Sequence, residues 1–450
     1  MKRMLTPHHR TIILHPLLIR LIHPSTMAPS RVDSVVDSST PTTFPKDRHP
    51  DAKWSAYRRL VPLVDTDGYT YLNASFAPPS NLIVHDAITR YSNDALHSPA
   101  PKPEWQKMAI ETRELIAKYI NAPSPESVAL TRDTTEGLNC FIRGMKFTPG
   151  DNVVILDSEH PNHAYGWMAM RAAGLEVRQV PTIPLAEKTG SVSAANADTF
   201  APYVDDCTRA IGISSVMFHS GQWNDIAGIS ARYRPKGIHV LVDMTQQVGF
   251  ATVDVQALGL SAAAFALHKG LNCPTGLAAL YVDPEVIAQA NPQPPIVGYG
   301  AVHNTRADLL VPSDEIIYHP NTRRFEHLNV SLVATTAANA FLKFYLNEMG
   351  PGNVEEHLYS LGDSLRRECQ DLGIDIVGPT SRKEHAHHLY ILDVHDPRWT
   401  EHLRAKQILI TPYRLGIRIS FGFYNNFEDV KKLAAALKSG LELGFPVGKV

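Results

Sequence analysis

In Ala264-Phe265-Ala266-Leu267-His268-Lys269-Gly270 a lysine closes a small, apolar, strand-like run, and Leu241-Val242-Asp243 closes an earlier one with a carboxylate. Lysine normally sits on solvated surface. Withdrawn from water, it loses part of its preference for the charged form and becomes a nucleophilic amine able to form a Schiff base with an aldehyde. A carboxylate ending a neighbouring strand is the acidic partner that such an amine chemistry calls for. Spacing alone leaves a second reading open, in which Asp243 and Lys269 are unrelated strand-end residues at the surface.

The same texture repeats on either side. Residues 128–131, 152–157, 175–180, 211–216, 239–243, 262–267 and 277–282 are short apolar runs separated by helical segments. Short strands that are apolar throughout, alternating with helices, indicate an α/β fold with a mostly parallel sheet covered on both faces. Ligands of such sheets bind at the carboxyl ends of the strands, where Thr134, His160, Ser215, Asp243 and Lys269 all fall. Residues 81–120 read as two helices, and 283–325 are rich in proline and loops. Beyond Phe325 come two long helices (331–349 and 352–371), strands at 374–377, 388–392 and 417–420, and a last helix at 427–443. The expected organisation is a disordered N-terminal extension (1–50), a large domain (51–325) whose first segment contributes to the smaller domain, and a smaller α+β C-terminal domain (326–450).

Composition narrows the partners. The 450 residues are 44% hydrophobic and 20% charged, ordinary for a globular enzyme. A formal net charge of −2 gives no electrostatic reason to expect nucleic acid or an anionic membrane. No apolar run approaches the roughly 20 residues that cross a bilayer. Cys140, Cys207, Cys273 and Cys369 are widely spaced, without metal-binding or redox spacing, and read as reduced thiols of a cytoplasmic protein. Residues 1–32 carry five basic residues and no acid. That pattern admits a mitochondrial targeting segment, but interleaved prolines and histidines spoil an amphipathic helix. An unstructured extension upstream of a start at Met27 is the preferred reading. His385-Ala386-His387-His388 is expected to be a solvated loop before a strand, and no metal site is expected.

Five motifs follow one another along the chain. They are Thr131-Arg132-Asp133-Thr134-Thr135-Glu136-Gly137-Leu138-Asn139, Glu159-His160-Pro161-Asn162-His163-Ala164-Tyr165-Gly166-Trp167, and Asp243-Met244-Thr245-Gln246. Then come His268-Lys269 with Pro274-Thr275-Gly276, and Ile417-Arg418-Ile419-Ser420 with Tyr424-Asn425. Hydroxyls and amides at a helix N-terminus suit a phosphate dianion, although a Thr-Thr-Glu run by itself is equally a helix cap. Together the motifs resemble the class V aminotransferase group of pyridoxal phosphate (PLP) enzymes, which includes cysteine desulfurases and isopenicillin-N-epimerase-like proteins. The resemblance runs from about Tyr71 to Val430.

It implies the PLP-dependent transferase fold type I, with a seven-stranded sheet in the large domain. It implies Lys269 as the Schiff-base lysine, Asp243 on the pyridinium nitrogen, Gln246 on the ring 3′-oxygen, and His160 stacked on the ring and taking part in proton transfer. Thr134, Thr135 and His268 would grip the phosphate. Thr275 would reach the phosphate of a neighbouring subunit, which implies a homodimer with active sites at the interface. Ser215 stands where desulfurases often carry Asn, and Arg418 would hold the α-carboxylate of an amino-acid substrate, a task suited to its planar charged fork.

Two departures shape the expected chemistry. Ala266 replaces the hydroxyl residue that relatives often place three residues before the lysine. Residues 400–418 contain no cysteine, whereas desulfurases carry a reactive one shortly before the carboxylate arginine, so persulfide chemistry lacks its nucleophile. Tyr71-Leu72-Asn73-Ala74-Ser75-Phe76, His219-Ser220-Gly221-Gln222-Trp223-Asn224-Asp225 and Ser420-Phe421-Gly422-Phe423-Tyr424-Asn425-Asn426 are similar to fungal specialised-metabolism members of the loline-alkaloid type. The expectation is a PLP enzyme working through a Cα carbanion, forming a carbon–carbon bond or epimerising. The alternatives are a C–S lyase acting by β-elimination, an aminotransferase, and a catalytically silent binding protein.

Overall fold

The computed structural model describes residues 50–448 apart from 190–191, 309, 312–314 and 328. The expected extension therefore lies outside the described residues but for Pro50, as do the targeting reading and Met27. A short first strand, β1 (Thr70–Tyr71), precedes the seven apolar runs. These form β2 (Val128–Thr131), β3 (Asn152–Leu156), β4 (Glu176–Val180), β5 (Thr208–Ser214), β6 (His239–Asp243), β7 (Ala262–Ala266) and β8 (Ala278–Val282). They join in one sheet in the order β2-β8-β7-β6-β5-β3-β4, with β8 running against both neighbours. Every residue of β2, β3, β7 and β8 is buried, which is why these strands read as unbroken apolar runs instead of alternating ones. Leu138, Phe141 and Ile142 from the helix Thr134–Gly144 and Trp167 from Pro161–Met168 pack onto Ala129, Ile155, Leu241, Ala264 and Leu280.

The register places the strand ends level. Ser214 pairs with Asp243, and Asp243 with Ala264, so β5, β6 and β7 finish along one edge. The strand expected at 211–216 in fact spans Thr208–Ser214.

A second, antiparallel sheet takes the order β12-β13-β10-β9. Its strands are β9 (Ile376–Val377), β10 (Leu389–Leu392), β12 (Thr411–Tyr413) and β13 (Gly416–Ser420), while β11 (Ile408–Leu409) pairs in parallel with β1. The helices Pro351–Asp371 and Phe427–Glu442 accompany it. Arg58 adds a further tie between the chain's beginning and end, donating to Asp429 at 2.7 Å and to the Tyr424 carbonyl at 2.8 Å.

The histidine run before β10 is a correction. His385, His387 and His388 are buried, not solvated. Aromatic faces account for it: His388 stacks on Phe250 at 3.7 Å, His387 on Trp223 at 4.7 Å, and His385 on Tyr390 at 4.9 Å. Burial pushes His385 down to about 4 and His387 to about 3, so both are neutral rings. Among the described residues no group of metal-ligating side chains forms, and no helix is long and apolar enough to cross a membrane.

The turn that follows Lys269 is set against the turn that follows Gln246, backbone on backbone. A Cβ on Gly270 would lie 2.5 Å from the Gly249 carbonyl carbon, and one on Gly249 would lie 2.3 Å from that of Gly270. Gly249 also has φ +82°, a region that L side chains avoid. Tyr119 clamps the turn after Gln246, accepting the Gly249 N–H and donating to the Ala251 carbonyl, both at 2.7 Å. Gly270→Ala is therefore expected to lower stability by about 1–3 kcal/mol through overpacking. Gly352→Ala, where an added Cβ meets nothing within 4 Å, should be neutral or slightly stabilising. Urea midpoints of the two variants against the parent chain test this contrast.

Candidate functional site

The level strand ends bring most of the expected residues to one place. A cavity of about 270 Å³ is lined by Thr134, Thr135, His160, Asp243, Gln246, His268 and Lys269. Thr134 and Thr135 open the helix Thr134–Gly144, which Asp133 caps by accepting the Glu136 N–H at 2.8 Å. First-turn amides have no acceptor within their own helix, and the helix dipole is positive there. Such an end attracts an anion. Thr134 Oγ1 lies 2.8 Å from Thr245 Oγ1, which also accepts the Ala266 N–H at 3.4 Å. Thr245 thus places a hydroxyl beside Ala266, where the chain itself lacks one.

Asp243 is buried, and its Oδ1 accepts the Thr245 N–H at 2.9 Å, which fixes the carboxylate at the end of β6. Gln246 donates through Nε2 to the Ser75 carbonyl at 3.1 Å, while its buried Oε1 has no partner in the chain. His160 caps the helix Pro161–Met168: its Nδ1 accepts the Asn162 N–H at 3.2 Å, which leaves the proton on Nε2. Its ring meets Phe218 edge-on at 4.9 Å. Burial holds His160 below its usual pKa, with Asp243 opposing and Lys269 assisting. Burial and the charge of Lys269 bring His268 down to about 4. The Lys269 amine itself is pulled down to about 8. Burial is the main cause, Asp243 resists it, and the Arg418 charge adds to it.

Arg418 lies in β13, 1% exposed. Its Nη1 donates to the Phe218 carbonyl at 3.0 Å and its guanidinium stands 4.5 Å from the Tyr413 ring. Nε and Nη2 are buried without partners. A buried guanidinium with two unmet donors is costly unless something accepts from it. A carboxylate does so with matching geometry.

Three expected residues are not in the lining: Arg418 stands behind it on the Phe218 carbonyl, and Ser215 and Thr275 lie elsewhere. Ser215 turns away from the cavity: its hydroxyl donates to the Asp243 carbonyl at 3.4 Å, while its neighbours Ser214 and Val216 line the space. Side chains alternate across an extended segment, so the position next to a facing residue faces the other way. Thr275 is exposed and lies outside the lining. Sequence reasoning missed Phe76, Asn162 and Phe218, which also line the cavity. An aromatic residue just after a strand carries no mark that separates it from core. Thr245 was legible, since it stands within the Asp243–Gln246 motif.

No thiol faces the cavity. Cys140, Cys273 and Cys369 are buried, and burial pushes all three thiols up. Cys207 is exposed but directly precedes β5, at the opposite end of the strand from the site.

The family model described as aminotransferase class-V matches residues 82–433. An uncharacterized aminotransferase of Schizosaccharomyces pombe is 51% identical over 391 residues, covering 87% of this chain and 96% of that protein. An uncharacterized protein of the same yeast is 47% identical over 397 residues, covering 88% and 89%. The apo cysteine desulfurase from Thermococcus onnurineus shares the fold, with a TM-score of 0.73 at 20% identity over 86% of this chain and 97% of its own.

The low Lys269 amine has a measurable consequence. A depressed lysine pKa means that the reactive free base accumulates as pH rises through about 8, not through the ordinary 10.5. Reductive methylation of the cofactor-free protein, followed by peptide mass spectrometry, should give a midpoint near 8 for Lys269 while solvated lysines titrate well above it. Asp243→Asn should lower the Lys269 midpoint further, because it removes the charge that favours the ammonium.

Proposed function

The chain belongs to the class V aminotransferase family, and on that premise we propose that it is a PLP-dependent enzyme that moves a proton at the Cα of an amino-acid substrate without a thiol nucleophile. The observation that carries this reading is the pairing of a low-pKa amine, Lys269, with a buried Arg418 that keeps two donors unmet nearby.

The residues fit the cofactor. Thr134, Thr135 and His268 would hold a phosphate at the helix N-terminus, and Asp243 would face the ring nitrogen. The unpartnered Oε1 of Gln246 marks a polar group awaiting a ligand. When bound, PLP supplies an aldehyde for an amine and an electron-withdrawing ring that stabilises negative charge at the amino acid's Cα. The chain's own residues do the rest. Arg418 takes the α-carboxylate through Nε and Nη2 and fixes the substrate's orientation. Asp243, locked by the Thr245 N–H, presents fixed negative charge. Lys269, whose free-base form becomes accessible as pH rises toward about 8, accepts the Cα proton and returns it. His160, held by the Asn162 N–H, offers Nε2–H toward the cavity from the wall.

Sulfur abstraction through a persulfide would need a thiolate beside the substrate. The four thiols lie buried or at the far end of β5, which supports chemistry that relies on an amine base.

The catalytic reading is tested with purified protein. It should be yellow, lose its visible band on borohydride reduction, and be colourless as Lys269→Ala. Incubation with amino acids in D2O should place deuterium at Cα. Pyruvate with a released thiol would assign a C–S lyase, and an oxo acid an aminotransferase. A colourless protein with no exchange would sink the proposal.

We further propose that the chain is a homodimer with sites at the interface. Supporting this are exposed Thr275, Phe76 at the cavity with 61% exposure, and a run of exposed apolar residues at Ile296, Val297, Tyr299, Ile316 and Ile317. Apolar surface of this kind marks an interaction face. Light scattering should report a dimer, and Tyr299→Glu with Ile317→Glu should shift it to monomer with reduced cofactor occupancy. A monomeric parent would end this reading.

A further inference from the structure

A second cavity of about 450 Å³ backs onto the first. Residues adjacent or nearly adjacent in sequence line the two on opposite sides. His160 lines the first and Ser158 the second; Phe218 lines the first and His219 the second. The Phe218 carbonyl is the group that holds Arg418, and the Phe218 and Tyr413 rings meet edge-on at 6.0 Å. Arg414 and Leu415, directly after Tyr413, line the second cavity. A substrate carboxylate on Arg418 would therefore sit at the partition between the two spaces.

The lining states what the second cavity accepts. Ile183 and Ala186 from one helix, Val192 and Ala194 from the following segment, and Val377 and Leu415 from the second sheet give it an apolar body. Several of its polar groups are already engaged within the chain, and Arg414, the cation in its lining, is not without a partner there. Ser158 bonds Thr182 at 2.8 Å, His219 bonds the Ser158 carbonyl at 3.2 Å, and Gln222 donates to the Ser193 carbonyl at 3.1 Å. Asp393 is paired with His395 at 2.7 Å. Few unmet polar groups remain to recognise a charged ligand, whereas apolar surface gains from any apolar group that displaces water. The volume suits a group far larger than the side chain of alanine or cysteine.

We propose that this cavity is the side-chain subsite of the enzyme: the substrate is an amino acid with a long, uncharged, apolar side chain that extends past the Phe218–Tyr413 partition. The inference rests on the reading of Lys269 and Arg418 as the substrate-holding pair. The test uses the holoprotein and isothermal titration calorimetry with α-methyl amino acids, which carry no Cα hydrogen and so report binding without proton exchange. α-Methyl-L-homophenylalanine should bind at least about tenfold more tightly than α-methylalanine, in line with discrimination by apolar pockets. Ala194→Phe and, independently, Ala186→Phe fill the cavity. Each should bring the preference to within about twofold while α-methylalanine affinity stays unchanged, as expected when only apolar pocket volume is lost. Equal affinity of the two ligands in the parent, or a preference that survives in both folded variants, overturns the inference. The borohydride-sensitive band, read on the same samples, separates the two proposals. With the band present and the preference absent, the subsite falls alone. With the band absent and a preference that the filling variants abolish, the catalytic reading falls and the cavity stands as an apolar-ligand site.

Discussion

Taking the Lys269 ammonium out of water sets the terms for everything around it. Desolvation favours the neutral amine, Asp243 favours the charged one, and Arg418 pushes back toward neutrality. Two cationic groups thus lean on one buried carboxylate. Such an arrangement is electrostatically incomplete, because buried charge needs compensation. The balance improves when anions arrive: a phosphate at the helix N-terminus beside Thr134, and a carboxylate on the unmet donors of Arg418. In the proposed function, the same imbalance that lowers the Lys269 pKa draws two anionic groups to the site. Affinity and basicity come from one arrangement of charge.

That arrangement needs geometry stiff enough to hold it. Asp243 and Lys269 project from different strands, and a lysine side chain has many rotamers to lose. The backbone contact between Gly249 and Gly270 removes most of the slack by fixing the Lys269 turn against the turn carrying Gln246. Tyr119 braces the same point from the helix Lys102–Tyr119. Small residues here are a packing requirement, since a single Cβ would force two peptide planes apart.

How much of this was legible in the sequence follows from which signals are local. β6, β7 and β8 were readable because strands buried on both faces must be apolar at every position. β11 and β12 were not, because two- or three-residue strands with half-exposed residues leave too little pattern to read. Lys269, Asp243, Gln246 and His160 converge as their motifs implied. Ser215 does not, since facing depends on strand phase, and phase is decided by pairing with β6 and not by composition. The buried histidines before β10 were misread for a related reason. Polarity suggests solvent, but stacking on Phe250, Trp223 and Tyr390 depends on partners distant in sequence. Cavity-lining Phe218 was hidden because it looks like core.

The wall behind His160 supports the proposed reading of the site as one that moves protons. Glu159, buried beside it, accepts the Ser214 N–H at 2.9 Å and the Ser214 hydroxyl at 2.6 Å, tying the segment after β3 to the end of β5. Ser214 is thereby spent on structure: its hydroxyl proton points to a carboxylate that serves as acceptor, not to an imidazole that could carry the proton away. Activation of a serine needs that relay, whereas Glu159 here also stands 3.6 Å from the buried His163 Nδ1, and His160 at the cavity uses Nδ1 to accept the Asn162 N–H. With the Ser214 hydroxyl committed to Glu159 and the thiols buried or remote, the Lys269 amine, brought down to about 8, is a base that the cavity offers. In the proposed function, an amine in that condition takes and gives protons at a substrate held by its carboxylate.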